Sequence, residues 1–185
     1  PHPKGLGGKF SWEQLKRSWY IFFFQLPKIP EFLFARDDGK RMANVMRSSA
    51  VDKSRFPDEV GDVYRKNAMQ PGALTAMINY YRALVRGGGA KRQKDLGIPM
   101  VETPTLMLWG EDDVALTKDT TYGTEDYVRD FTIRYLPRVS HWVQQEQPEA
   151  VNEMMAAFLE DKSVPEFKWH WVLEVDETGK TGETS

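Results

Sequence analysis

TPTLMLWGEDD, at residues 103–113, begins as a short apolar run of β character and ends in a glycine followed by three acidic residues. A polar helix is predicted near residues 117–131, a second strand at residues 132–136 and a further helix at residues 148–159. Strand, helix, strand, helix is the pattern of the end of a doubly wound sheet, so we assign the chain to the α/β class. Because two strands are too few to form a stable sheet alone, we expect the remaining strands upstream or in a partner.

A series of predicted helices precedes this pattern. Ser11 and Gln14 fit a capping box at the start of a helix that should run to residue 25 or 26 and stop at Pro27. Further helices are predicted at residues 40–48, 57–67 and 73–85, the last of them ending at three glycines. Residues 90–99 (AKRQKDLGIP) are interpreted as a polar linker between the helices and the first strand.

The composition excludes several classes of protein. The 25 basic and 27 acidic residues are spread along the chain, so no basic face is available for nucleic acid or anionic lipid. The lack of cysteine excludes disulfides, thiolate catalysis and cysteine-ligated zinc. The most apolar stretch, residues 19–26 (WYIFFFQL), is too short for a membrane span. The first residues lack the order of a signal peptide, and we favour a cytoplasmic location.

The strongest candidate for chemistry is an acidic residue after the first strand and a histidine after the second. Asp113 ends the segment WGEDD, and His141 lies in VSHW at residues 139–142. A histidine that acts as a base needs a carboxylate on its other ring nitrogen, and α/β-hydrolases place acid and histidine last in their triad. The alternative is a capping aspartate and a histidine on a surface loop. If the motif slips by one residue, Asp112 replaces Asp113.

Five segments, in order, resemble the epoxide hydrolases, and the resemblance covers nearly all of residues 1–160. They are PHP at residues 1–3, SWYIFFFQLPKIPEF at 18–32, PGALTAMINYYRA at 71–83, PTLMLWGEDDVAL at 104–116 and SHWVQQEQPEAVNEMMAAFL at 140–159. Taken in order, they resemble five parts of an epoxide hydrolase: the exit from the sheet, the first lid helix, the last lid helix, the acid-bearing strand and loop, and the histidine loop with the final helix. The resemblance implies the C-terminal part of an α/β-hydrolase fold with a helical lid.

On this basis we divide the chain into four parts. Residues 1–10 form the connection into the lid, and residues 11–88 form the lid itself. Residues 89–160 form the C-terminal part of the α/β-hydrolase core. The tail, residues 161–185, is expected to be partly disordered, with a possible edge strand in FKWHWVLEV at residues 167–175.

The resemblance implies roles for two tyrosines of the lid. In epoxide hydrolases two phenols hold the epoxide oxygen and supply its proton, and by position these are Tyr20 and Tyr81. A phenol with a pKa near 10 stays protonated at neutral pH and can stabilise a developing alkoxide. Either tyrosine alone is more readily explained as a core residue, but two at the family positions favour catalysis. Phe24 and Trp142 are expected to line the substrate pocket, with Trp142 shielding His141.

The nucleophile of the family is not found in this sequence. The family uses an aspartate on a sharp strand-to-helix turn and an HGxP-type loop for the oxyanion, and the 185 residues contain neither motif nor a GxSxG or GxDxG elbow. We expect both to lie upstream, in the N-terminal half of the core. The implied reaction converts a small apolar epoxide to a vicinal diol through a covalent ester, with no metal or organic cofactor.

Two alternatives to an epoxide hydrolase stay open. A haloacetate or haloalkane dehalogenase has the same fold and the same aspartate, histidine and acid, but it needs halide-binding donors in the lid, and the tyrosine pair argues against it. The other alternative is a catalytically inactive fragment that acts only as a binding or structural module. The lack of a nucleophile motif in the sequence is the direct evidence for an inactive fragment.

Overall fold

Helices make up most of residues 12–96, and a parallel strand pair with further helices lies within residues 99–168. The computed structural model describes residues 12–97 and 99–168. The first half contains α1 (Trp12–Arg17), α2 (Trp19–Phe23), α3 (Ile29–Ala35), α4 (Lys40–Ser49), α5 (Asp58–Ala68), α6 (Ala73–Arg86) and α7 (Gly89–Leu96). The second contains β1 (Thr105–Gly110), β2 (Phe131–Leu136), α8 (Val143–Glu146) and α9 (Pro148–Leu159).

The two strands pair in parallel, with Thr105 opposite Phe131 and Gly110 opposite Leu136. Helix α9 covers them and contributes to the larger apolar core of the described residues, which contains Leu136, Val139, Ala150, Val151, Met154 and Val164. Both strands run in the same direction, so the loops that follow Gly110 and Leu136 emerge at the same edge of the sheet. This edge carries the acid and the histidine.

A second apolar cluster joins the helical half to the strands. Met46, Ala50 and Phe56 are buried there, and Trp142 from the histidine loop packs against them. Helices α4 and α5 approach closely beside this cluster. A Cβ atom at Gly61 of α5 would lie only 3.0 Å from the Cβ of Ala43 in α4. None of the helices in the described part of the chain is long and apolar enough to cross a membrane.

Most of the expected elements are confirmed. Both strands are present, and α4, α5, α6 and α9 lie where helices were predicted. The single helix expected after Ser11 is wrong, because α1 and α2 are separated at Ser18 and α2 ends at Phe23. Ser11 itself lies outside the described residues. The side-chain amide of Gln14 bonds to Ser18 and to a loop a hundred residues later.

The polar linker expected at residues 90–99 is also wrong for most of its length. Helix α7 runs from Gly89 to Leu96, after Gly88 adopts a left-handed conformation with φ of 70° that separates it from α6. Lysine, arginine and glutamine have good helix propensity, so a polar composition alone did not exclude a helix. The three glycines therefore mark a break between two helices.

The polar helix expected at residues 117–131 is replaced by two short 3₁₀ turns, Lys118–Thr121 and Glu125–Tyr127. Threonine hydroxyls favour these turns over a regular helix. Those of Thr120, Thr121 and Thr124 each donate to the backbone carbonyl three residues before. In the tail, residues 163–168 have no regular secondary structure, and the rest of the predicted edge strand lies outside the described residues.

Candidate active site

Gly110 allows the loop after β1 to approach the loop after β2. A Cβ atom at this position would collide with the backbone carbonyl oxygens of Ser140 and Val139. The chain after Gly110 then bonds to its neighbour, since the N–H of Glu111 donates to Leu136 O and that of Asp112 to Val139 O, each at 3.0 Å. The acid loop is thereby fixed beside the histidine loop.

Asp113 is buried in this loop and uses both carboxylate oxygens. Its Oδ1 accepts hydrogen bonds from the backbone N–H groups of Ala115 at 2.7 Å and Leu116 at 2.9 Å. Its Oδ2 lies 2.9 Å from Nδ1 of His141. Asp112, the alternative acid, is exposed. The structure thus brings together Asp113 and His141 in the geometry that a histidine base requires.

Each of the two groups favours the charged form of the other. Burial favours a raised pKa for the Asp113 carboxyl, but the hydrogen bond from His141 and those from Leu116 and Ala115 outweigh it, and the pKa lies below its ordinary value. The hydrogen bond to Asp113 raises the pKa of His141 above its ordinary value, although burial opposes this. Asp113 therefore stabilises the imidazolium that forms when His141 takes a proton.

Tyr20 of α2 and Tyr81 of α6 are in direct contact. Their ring centroids are 5.6 Å apart at an interplanar angle of 85°. Phe24 lies against both, with its centroid 4.9 Å from that of Tyr81 and 5.9 Å from that of Tyr20. Burial is the main cause of the raised pKa of both phenols, and for Tyr20 the nearby Tyr81 and Asp113 add to it. Both phenols are therefore protonated donors at neutral pH.

Trp142 packs edge-on against His141, with ring centroids 5.1 Å apart at 80°. Its Nε1–H donates to Ser49 Oγ at 2.7 Å, and its ring lies against the apolar cluster around Phe56. These contacts tie the histidine loop to the end of α4. Whether Trp142 also lines a substrate pocket stays a prediction.

Gln14 and Arg17, which the sequence did not identify, attach α1 to the acid loop. Gln14 is buried, and its Nε2 donates to Ala115 O at 3.0 Å while its Oε1 accepts from the N–H of Thr117 at 2.9 Å. The guanidinium of Arg17 donates to the backbone carbonyl of Asp113. The one sequence signal was a polar glutamine in a helix rich in aromatic residues, and it was assigned to a cap instead.

Arg82, next to Tyr81, joins α6 to the end of α2. Its Nε donates to Phe24 O at 3.0 Å, one terminal nitrogen donates to Leu26 O at 2.7 Å, and both terminal nitrogens contact the carboxylate of Glu31. Such a fork of donors suits two carbonyls and a carboxylate at once. The two tyrosine-bearing helices are therefore fixed to each other a few residues from the phenols.

The described residues contain no group of three or more histidine, aspartate or glutamate side chains placed to hold a metal ion. The functional groups at the site are a carboxylate, an imidazole and two phenols. Together they can accept a proton from water and donate protons to a developing oxyanion.

No family model matches the chain, but individual proteins do. It is 36% identical over 153 residues to epoxide hydrolase 1 of Caenorhabditis elegans, a stretch that covers 80% of this chain and 37% of that protein. It is 36% identical over 155 residues to epoxide hydrolase 4 of Mus musculus, covering 81% of this chain and 42% of the other. The chain thus spans about two fifths of the length of these relatives.

The fold has known counterparts as well. A crystal structure of Bacillus megaterium epoxide hydrolase in complex with an inhibitor matches 86% of this chain and 57% of its own, with a TM-score of 0.69 and 23% sequence identity. At that identity the match establishes the α/β-hydrolase fold, and the expected fold class is confirmed. From the sequence relatives and the shared fold together, we conclude that the chain belongs to the epoxide hydrolase family of the α/β-hydrolases.

Proposed function

We propose that this chain supplies the acid, the histidine and the lid phenols of an enzyme that hydrolyses epoxides to vicinal diols. One observation carries the proposal: the rings of Tyr20 and Tyr81 are in direct contact, in a chain that also pairs Asp113 with His141. Two phenols in contact beside an acid and histidine pair suit the opening of a strained ether, which needs a proton donor at oxygen.

In the first step of the proposed reaction, an aspartate from outside this chain attacks an epoxide carbon. The carbon–oxygen bond breaks, and Tyr20 and Tyr81 donate to the oxygen as it gains charge. One of the phenols gives up its proton, and the product of this step is a hydroxyalkyl ester of the aspartate.

In the second step His141 removes a proton from water, which attacks the carbonyl of the ester. Asp113 keeps Nδ1 of His141 protonated, so Nε2 is the nitrogen that accepts this proton. The ester bond breaks, the leaving oxygen takes the proton of the new carboxyl group, the diol leaves, and the carboxylate of the aspartate is regenerated. The proton on His141 returns to the phenol through water. No metal or organic cofactor takes part in either step.

The surroundings of the phenols favour a small apolar substrate. The ring of Phe24 lies against both tyrosines, and an aromatic wall beside two donors binds a compound with an apolar body and one oxygen. We propose Phe24 and Trp142 as lining residues, and residues 11–88 as the lid that carries the phenols. The rest of the core, including the nucleophile, is proposed as the partner of residues 89–160.

The test is a single-turnover experiment on a full-length protein that contains these 185 residues. We expect diol as the product, and we expect the variant His141→Gln to accumulate the covalent ester, which mass spectrometry detects as an added mass on one aspartate. The isolated chain should form no diol. Release of halide from haloalkanes without epoxide turnover would favour the dehalogenase alternative, and inertness toward both would favour a binding module.

A further inference from the structure

Glu146 is a fully buried carboxylate that the proposed reaction does not use. It ends α8 with an exposed fraction of 0%. Its Oε1 accepts a hydrogen bond from the N–H of Ser140 at 3.0 Å, next to His141. Its Oε2 accepts from the N–H groups of Val51 at 2.8 Å and Asp52 at 3.1 Å. These three donors belong to segments of the chain about ninety residues apart.

A carboxylate suits this position better than any other side chain. Each oxygen accepts from a different segment, so the group needs two acceptors, whereas a glutamine has only one. Placing an amide NH₂ against backbone N–H groups would leave buried donors unpaired, which is costly. Burial raises the pKa of Glu146, and the three backbone N–H groups counteract part of that effect. Backbone donors therefore stabilise the buried negative charge.

Two neighbours of Glu146 in sequence also bond to the helical half of the chain. Trp142 donates from its indole to Ser49, at the end of α4, and the side-chain amide of Gln145 donates to the hydroxyl of Tyr64 in α5. Glu146 is the only one of these three that also holds the backbone beside His141. Loss of Glu146 would free the backbone at Ser140 while leaving the hydrogen bonds of Trp142 and Gln145 in place.

We infer that Glu146 is a positioning residue that ties the loop of His141 to the helical lid, so that the lid and the histidine are held in one fixed arrangement. Its effect on catalysis rests on the proposed function, because only a catalytic His141 would make the arrangement matter for turnover. Its effect on geometry does not, since the hydrogen bonds lie within the described chain.

The first experiment measures the imidazole pKa of His141 by NMR in a full-length protein that contains these 185 residues, with His141→Gln used to assign its signal. In the variant Glu146→Gln the loop should shift and the hydrogen bond to Asp113 should loosen. The pKa of His141 should then fall by about half a pH unit or more toward its ordinary value. The matched control is Glu31→Gln, which also removes a carboxylate bound to several donors but lies in α3 against Arg82. It should leave His141 unchanged.

A second measurement needs no variant and applies even if Glu146→Gln does not fold. In the unaltered full-length protein, the amide hydrogens of Val51, Asp52 and Ser140 should be protected together in hydrogen exchange, because one group accepts from all three. Rapid exchange at Ser140 with protection at the other two would overturn the inference. So would an unshifted His141 pKa in a folded Glu146→Gln variant. Either result leaves the epoxide reaction untested, and failure to trap an ester leaves this inference intact.

Discussion

Single residues determine how the candidate site forms. Gly110 lets the two loops meet, and Asp113 then uses one oxygen for its own loop and the other for His141. The acid is held by backbone donors, so its position does not depend on the histidine alone. This explains why Asp113, and not the exposed Asp112, contacts His141.

Replacing Gly110 with alanine should separate the two loops. The added Cβ would strike the carbonyls of Val139 and Ser140, and backbone atoms cannot move as a flexible side chain can. We expect Gly110→Ala to lower the free energy of unfolding by about 2–3 kcal/mol in urea titrations. Gly89→Ala is the control, because a Cβ there meets nothing within 4 Å, and it should change stability by less than about 0.5 kcal/mol. Equal effects of both variants would contradict this explanation.

The ion pair of Asp113 and His141 should make stability depend on pH in a defined window. The pKa of His141 is raised, so its contribution is complete below about pH 6.5 and disappears as pH rises through the folded value. The pKa of Asp113 is lowered, so its contribution is present above about pH 3.8 and disappears as pH falls through its folded value. The pair therefore contributes most between these limits.

The measurement is the difference in unfolding free energy between a full-length protein that contains these 185 residues and its His141→Gln variant. Glutamine can still donate to Asp113 but carries no charge. Because His141 is partly exposed and solvent screens its charge, we expect a difference of only about 0.5–1 kcal/mol at about pH 5.5 and a much smaller one at about pH 9. A difference that stays constant, or that grows with pH, would mean that His141 is not stabilised as a cation by Asp113.

At the scale of elements, the two phenols depend on how three helices are joined. Helix α1 is fastened to the acid loop by Gln14, and α6 is fastened to the end of α2 by Arg82. Tyr20 and Tyr81 project from helices whose ends are held by these polar side chains. Their ring contact is therefore a consequence of hydrogen bonds made elsewhere on the same helices.

Arg82→Lys tests this dependence. An ammonium cannot reach Phe24 O, Leu26 O and both oxygens of Glu31 at once, so the helices should separate and expose the phenols. We expect the pKa values of Tyr20 and Tyr81 to fall toward 10, measured by ultraviolet titration against the matching Tyr→Phe variants. Arg65→Lys is the control, since Arg65 pairs with Asp38 and Asp62 away from the phenols. It should leave the phenol titration unchanged.

At the scale of the whole molecule, the sequence predicted what depends on local pattern. The strands, the helix at Pro148–Leu159 and the pairing of Asp113 with His141 follow from periodicity, breakers and chain order. The 3₁₀ turns around Thr121 were missed, because they depend on threonine side chains bonding to the nearby backbone. Glu146 was missed for a related reason: its partners lie in a different part of the chain.

The last prediction concerns turnover by a full-length protein that contains this chain. If Tyr20 and Tyr81 both donate to the same oxygen, then replacing either with phenylalanine removes one donor and leaves the other. Each single variant should slow ring opening by about 10- to 1000-fold, and the double variant should nearly abolish it. Rapid-quench measurement of ester formation isolates this step from the later hydrolysis.

Tyr80→Phe is the matched control, because Tyr80 precedes Tyr81 on the same helix but is 79% exposed. It should leave ester formation unchanged. The ring contact between Tyr20 and Tyr81 is kept in the single variants, since phenylalanine preserves the aromatic ring, so a loss of rate reports on the hydroxyl and not on packing. Unchanged ester formation in both single variants would exclude the phenols as the donors and remove the main support for an epoxide substrate.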